Sequence, residues 1–222
     1  MKYSIVITCY NRENFIGRAI RSAINQRGIE RSSLEVIVVD DNSTDKSNFI
    51  IKDYENVIKY IRNNSNVGLP SSRNKGIKKS KGKYIFMLDS DDYLSEDTLN
   101  ILGSFLDNNE SWDAVSWDYF KVDKNEKFLK RFSYKKNPIA CGVLYRRETI
   151  FEIGLYNEKF KILEDVEFRR RYLKKYNIGY IELPLYRYTM HEKNMTKDSS
   201  KIKIYRKKLA KMKNLNKWNL VN

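Results

Sequence analysis

Residues 82–94 read GKYIFMLDSDDYL. An apolar run, Tyr84 to Leu88, is bounded by Gly82 and then broken by Asp89-Ser90-Asp91-Asp92. A short apolar run between turn signals suits a strand buried on both faces, as in parallel sheets. Such sheets place ligands beyond the carboxyl ends of their strands. Three carboxylates gathered there repel one another unless a cation or hydrogen-bond donors offset their charge. Hard oxygen ligands of this kind suit Mg²⁺ or Mn²⁺, held by one or two carboxylates and substrate phosphates. In isolation the same residues read equally well as a solvated Asp/Ser turn, so the flanking chain has to decide.

Upstream, strand and helix alternate at short spacing. Tyr3 to Cys9 and Leu34 to Val39 are β-branched apolar runs, and Val57 to Ile61 is a shorter one. Between them, Phe15, Ile16, Ala19, Ile20, Ala23 and Ile24 recur at helical spacing within Glu13–Gln26. Further helices are expected over Asp45–Tyr54 and Ser71–Ser80. The alternation predicts an α/β fold with a mostly parallel central sheet flanked by helices. The second strand also ends in acids, Asp40-Asp41, and the first ends in Thr8-Cys9-Tyr10-Asn11. These ends share one sheet edge, which favours a ligand site over independent turns.

Beyond Asp92 the alternation weakens. Helices are expected over Ser95–Asn108 (capped by Ser95), Glu148–Ile153 and Glu164–Tyr176. Strands are expected over Trp112–Val122, Phe128–Tyr134, Gly142–Arg146 and Tyr180–Tyr188, the last interrupted by Pro184. No repeat or linker divides the chain, so 1–92 and 93–198 read as two halves of one domain. From Ser199 a basic amphipathic helix is expected over 201–218, with Ile202, Tyr205, Leu209, Met212 and Leu215 forming an apolar stripe. It suits either packing on this or a second subunit, or peripheral contact with an anionic membrane.

Of the formal charge of +15, the last 22 residues carry +8, leaving a moderately basic body. That distribution, with no aromatic platform beside the tail, argues against nucleic-acid binding. Cys9 and Cys141 are too few for a disulfide framework and lack metal-ligand spacing. They read as free thiols in a reducing cytoplasm. No secretory signal or run of about 18 apolar residues is evident.

Four segments, SIVITCYNRENFIGRAIRSAINQ, VIVVDDNSTD, NVGLPSSRNKGIKKSKGKYIFMLDSDD and GVLYRRETIFEIGLYNEKFKILEDVEFRRR, together resemble family 2 of the glycosyltransferases, with its Rossmann-like GT-A fold. The resemblance spans roughly residues 3–196. It implies that Thr8, Tyr10, Asn11, Asp41 and Arg73 bind the nucleotide of a sugar donor, with Asp89-Ser90-Asp91 as the DxD motif. Asp91 is then the first ligand of an Mn²⁺ or Mg²⁺ ion, with Asp89 and the lone histidine, His191, as further candidates. Asp165 of the Glu-Asp pair matches the catalytic base, and Glu164 and Asp92 match positions near the donor or acceptor sugar. For Asp92 the residues allow a loop-orienting role as well. Arg187 and Lys193 are candidates for the diphosphate.

The implied activity is metal-dependent inverting transfer from a nucleotide diphosphate sugar (UDP-sugar by default) to a glycan or lipid-linked acceptor. The implied setting is surface polysaccharide or glycoconjugate assembly at the cytoplasmic face of a membrane. A sugar-phosphate nucleotidyltransferase is the first alternative, but Thr8 to Arg12 lacks the Gly-rich phosphate loop such enzymes carry. A non-catalytic nucleotide-sugar or membrane-binding module is the second, against which the three carboxylates Asp89, Asp91 and Asp165 speak. Neither oligomeric state nor the particular sugar is legible.

Overall fold

The computed structural model describes residues 1–192, 194 and 199–211. A single nine-stranded sheet runs through both halves of the chain. The first half contributes β1 (Tyr3–Cys9), β2 (Leu34–Asp40), β3 (Lys59–Arg62) and β4 (Tyr84–Asp89), linked through α1 (Ile16–Ile24), α2 (Ser47–Lys52) and α3 (Leu69–Lys79). The second half adds β5 (Tyr93–Leu94), α4 (Thr98–Asn108), β6 (Ala114–Asp123), β7 (Phe128–Phe132), β8 (Val143–Arg146), α5 (Arg147–Ile153), α6 (Glu164–Tyr172) and β9 (Ile178–Met190). A helix, α7, covers Ser199–Lys211.

The strand order is β3-β2-β1-β4-β8-β6-β9-β5, with β7 added alongside β6. β1 to β4 are mutually parallel, with β2 and β4 on opposite sides of β1. The chain therefore reverses its winding between β1 and β4, and a crevice opens there at the carboxyl ends of the strands. β8 is antiparallel to both β4 and β6, and restores the original direction for β6 and β9. All seven residues of β1 are shielded, and of β4 only Asp89 is part-exposed. The β-branched and aromatic composition suits that two-sided burial.

Several boundaries differ from expectation for local reasons. α1 starts at Ile16 rather than Glu13, because Arg12 and Glu13 donate their amides to Ser47 Oγ (2.8 Å) and Asp45 Oδ2 (3.1 Å). These bonds tie the β1 end to the β2 end. Ser95 does not cap α4; its amide donates to Leu185 O (3.0 Å) and the helix begins at Thr98. α6 ends at Tyr172, four residues short of expectation. β9 is longer than predicted, since the β6–β9 register shifts on both sides of Asp118, and Pro184 sits in the resulting irregularity. A bulge is where a proline fits a strand without a missing ladder donor.

Of the C-terminal stripe, Leu209 is buried and Tyr205 packs on Phe160, ring centroids 6.0 Å apart. Ile202 lines the crevice. These apolar residues are turned toward this chain, and Lys203, Arg206, Lys207 and Lys211 are exposed. The expected helical stretch beyond 211, with Met212 and Leu215, lies outside the described residues. No helix among the described residues is long and apolar enough to cross a membrane.

Candidate active site

The crevice at the winding reversal is a cleft of about 630 Å³. The ends of β1 and β4 form its floor through Thr8, Tyr10 and Asp89 to Asp92, and the start of α6 faces them with Glu164 and Asp165. Tyr186 and Tyr188 of β9 and residues 138–141 line the remaining side.

Of the residues expected to meet a nucleotide, Tyr10 is 44% exposed and Thr8 is buried. Asn11 adopts a left-handed backbone (φ 52°), a region asparagine tolerates. Its Oδ1 accepts from Thr44 N at 2.8 Å, and its own amide donates to Ser43 Oγ at 3.0 Å. The Asn11 side chain thus joins the β1 and β2 loops. Asp41 is buried and accepts from Asn63 Nδ2 (2.8 Å), Val67 N (2.9 Å) and Gly68 N (2.7 Å). A carboxylate has about four acceptor positions, so Asp41 organises the loop before α3 and keeps one position on Oδ2 for another donor.

Arg73 and Asn74 divide their work. Arg73 is 2% exposed and donates to Glu164 Oε1 at 2.5 Å and Asp89 Oδ1 at 2.7 Å. It thereby bridges the two halves of the site. Asn74 instead exchanges bonds with Tyr156, donating to its carbonyl and accepting from its amide, both at 2.9 Å. Burial, reinforced by the charge of Asp165, pushes Glu164 up to about 7 against the pull of Arg73. Asp165 sits one residue into α6, with Arg169 Nη1 at 3.6 Å from its Oδ2. Phe168 of α6 is buried and Val166 is half-buried.

The acids after β4 differ in environment. Asp91 Oδ2 lies 2.8 Å from His191 Nε2 and 3.1 Å from Arg12 Nε. Burial works to raise the Asp91 pKa, but the hydrogen bond with His191 and the Arg12 charge outweigh it and hold the group ionised. The His191 ring stacks on Phe15, centroids 4.8 Å apart. Ser90 is buried in the turn between the two acids. Asp92 accepts from Tyr186 Oη at 2.6 Å and Thr189 N at 2.7 Å, and is 2% exposed. Burial, and then the charges of Asp91 and Asp89, push its pKa well above the carboxylate range. Of the roles open to Asp92 in the sequence, the geometry is that of orienting the loop: both oxygens are taken by β9.

Arg187 departs from expectation. It stacks over Phe120 at 4.7 Å and donates to Pro184 O, on the opposite strand face from Tyr186 and Tyr188. Lys193 lies outside the described residues. Arg12 and Arg18 belong to no motif in the sequence that marks them as site residues. Arg18 donates to Asp91 O (2.8 Å) and Thr189 Oγ1 (2.7 Å) and stacks on Tyr93 at 4.3 Å. Its spacing of three from Phe15 was the only available signal, and it marks a helix face without naming a partner.

Among the described residues, no three His, Cys, Asp or Glu side chains gather as a ready metal cage. The donor set nevertheless fits an Mn²⁺ or Mg²⁺ ion. Metal–ligand bonds of about 2.1 Å at right angles put adjacent ligands about 3 Å apart, near the Asp91–His191 separation of 2.8 Å. Substrate phosphates ordinarily complete such sites. Asp89 is committed to Arg73 and is the weaker candidate.

The model for glycosyl transferase family 2 matches residues 4–178. The chain belongs to that family. Among curated relatives of this family member, the putative glycosyltransferase EpsH of Bacillus subtilis is 29% identical over 231 residues, covering 93% of this chain and 64% of its own length. The minor teichoic acid biosynthesis protein GgaB of the same organism is 30% identical over 210 residues, covering 86% of this chain and 23% of its own. The crystal structure of S. aureus TarS 1–349 in complex with UDP-GlcNAc superposes with a TM-score of 0.77 at 26% identity, covering 90% of this chain and 61% of that one. The same TarS fragment has been solved with UDP (TM-score 0.74). The chain thus spans less than two thirds of the length of each of these relatives.

Proposed function

We propose that this family 2 chain transfers a sugar from a nucleotide diphosphate donor to an acceptor hydroxyl, with inversion at the anomeric carbon. The observation that carries the reading is the shared cleft: Asp91, bonded to His191, and Asp165 both line it. The UDP and UDP-GlcNAc complexes of TarS support a UDP-sugar as donor. Tyr10 stacks on the base, and Thr8 and the remaining position on Asp41 receive its polar edge. Asp91 and His191 hold an Mn²⁺ or Mg²⁺ ion, with Asp89 alongside. When bound, the metal offsets charge on the departing diphosphate.

Asp165 accepts the acceptor hydroxyl proton as that oxygen bonds to the anomeric carbon. The bond to the diphosphate breaks on the opposite face. Glu164, held by Arg73, borders the sugar. The names of the relatives support an acceptor among cell-surface polymers or their lipid-linked precursors. We place the chain at the cytoplasmic face of a membrane, with contact made by the exposed lysines of α7 rather than by its apolar stripe.

The test is nucleoside diphosphate release from a panel of UDP-hexoses with Mn²⁺, in the wild type and Asp165→Asn. Release by the wild type, lost in a variant that still binds UDP, is the expected result. A folded wild type that releases UDP from no donor, with or without acceptors, overturns the reading.

A further inference from the structure

β6, β7 and β9 place two rows of side chains on one face of the sheet. The register pairs Phe132 with Tyr119 and Tyr119 with Tyr186, and it pairs Lys130 with Lys121 and Lys121 with Tyr188. The first row is aromatic throughout. Phe132 and Tyr119 stack with centroids 5.5 Å apart, Tyr119 lies 6.1 Å from Tyr188, and Tyr186 reaches Asp92. The second row begins at the cleft with Tyr188 and runs outward to two ammonium groups. Lys121 Nζ sits 4.4 Å from the Phe132 centroid and 5.7 Å from that of Tyr188, and Lys130 Nζ sits 5.7 Å from Phe132.

Like charges directly opposite across two strands are unfavourable. Among the described residues, both ammoniums lie over rings and neither forms an ion pair with a carboxylate. An anion bridging Lys121 and Lys130 would remove the repulsion, and the part-exposed rings of Phe132 and Tyr188 stand beside it, Tyr119 and Tyr186 being buried. The ribbon is also held rigidly. Asp118, buried behind it, accepts from Arg131 Nη2 (2.8 Å), Tyr180 Oη (2.6 Å) and Tyr134 N (3.1 Å). Tyr119 Oη donates to Asn137 O (3.1 Å), next to Pro138 at the cleft wall.

We infer that this face is the acceptor track, and that the acceptor is a phosphodiester-bearing chain whose units beyond the reacting hydroxyl run along Tyr188, Lys121 and Lys130. The inference rests on the transferase reading and adds the acceptor's chemistry and path. A polyanion matched to a cationic track gains association rate and salt-sensitive affinity.

The test uses the whole chain with UDP and Mn²⁺ present, and measures binding of a labelled glycerol-phosphate oligomer, an uncharged dextran of similar length and phosphatidylglycerol vesicles. The variant is Lys121→Gln/Lys130→Gln. The control is Lys52→Gln/Lys78→Gln, which removes equal charge from exposed sites elsewhere. The oligomer is expected to bind more tightly than dextran and to lose about tenfold in the hairpin variant but not in the control. UDP binding should be unchanged in both, which also verifies folding. Lys130→Gln alone, at an exposed edge position, should show part of the loss. Equal losses in variant and control, or a loss confined to vesicle binding, overturn the inference. Failure of the wild type to bind UDP instead strikes the transferase reading itself.

Discussion

Arg73 joins Asp89 after β4 to Glu164 at the start of α6, so its removal should be felt in stability with a characteristic pH dependence. In Arg73→Met the aliphatic volume is largely kept, but Glu164 and Asp89 lose their cation. Each charge-assisted hydrogen bond contributes about 1.5–3 kcal/mol, and removing one partner of a buried pair costs about 3–5 kcal/mol. Asp89 is 30% exposed and regains water, while Glu164 can escape by protonation. The net loss at pH 8 should be about 3 kcal/mol, or about 6–12 °C in Tm for a chain of this size. Glu164 lies at about 7, above its ordinary 4.5. A carboxyl raised in this way contributes stability that is complete below the unfolded value and lost as pH rises through the folded one. Without Arg73 its pKa climbs further, so that loss extends to higher pH. A further rise of one unit makes the penalty about 1 kcal/mol smaller at pH 6 than at pH 8. Urea unfolding at the two pH values measures this directly, and Arg73→Met/Glu164→Gln should recover about half the loss. Equal stability of wild type and Arg73→Met at pH 8, or a penalty independent of pH, refutes the reasoning.

Three other outcomes follow from particular contacts. Tyr186→Phe leaves Asp92 Oδ2 without its donor and should cost about 1–3 kcal/mol, read as a lower urea midpoint at unchanged slope. A Cβ on Gly76 would stand 2.3 Å from Val6 Cγ1, so Gly76→Ala should lift α3 off β1 and cost about 1–3 kcal/mol. Asp165→Asn should reduce transfer about 10²- to 10⁴-fold, the usual span for a general base, while the Kd for UDP stays at the wild-type value.

What the sequence made legible follows from how local each cause is. β1, β2 and β4 are continuous β-branched and aromatic runs, and their buried setting is written in their own residues. The polar ends of those strands mark the cleft for the same reason. β5 was invisible because two residues, Tyr93 and Leu94, carry no periodicity, and only pairing with β9 makes them a strand. Pro184 hid the true length of β9, since the accommodating irregularity belongs to the β6 pairing. For Asp92 the sequence left two roles open, because the partners that take both its oxygens lie 94 and 97 positions away. Arg18, Asn63 and the Arg73–Glu164 bridge are of the same kind: the residue type is ordinary and the meaning lies in the distant partner.

The central claim, a nucleotide site completed by Asp91 and a divalent ion, is tested most directly by calorimetry. A panel of nucleoside diphosphates would be titrated with Mn²⁺, Mg²⁺ or EDTA into the wild type and Asp91→Ala. The account predicts that UDP binds only with the metal and that Asp91→Ala abolishes binding in a protein that remains folded. Binding of no nucleotide, or of one that tolerates both EDTA and Asp91→Ala, would contradict it.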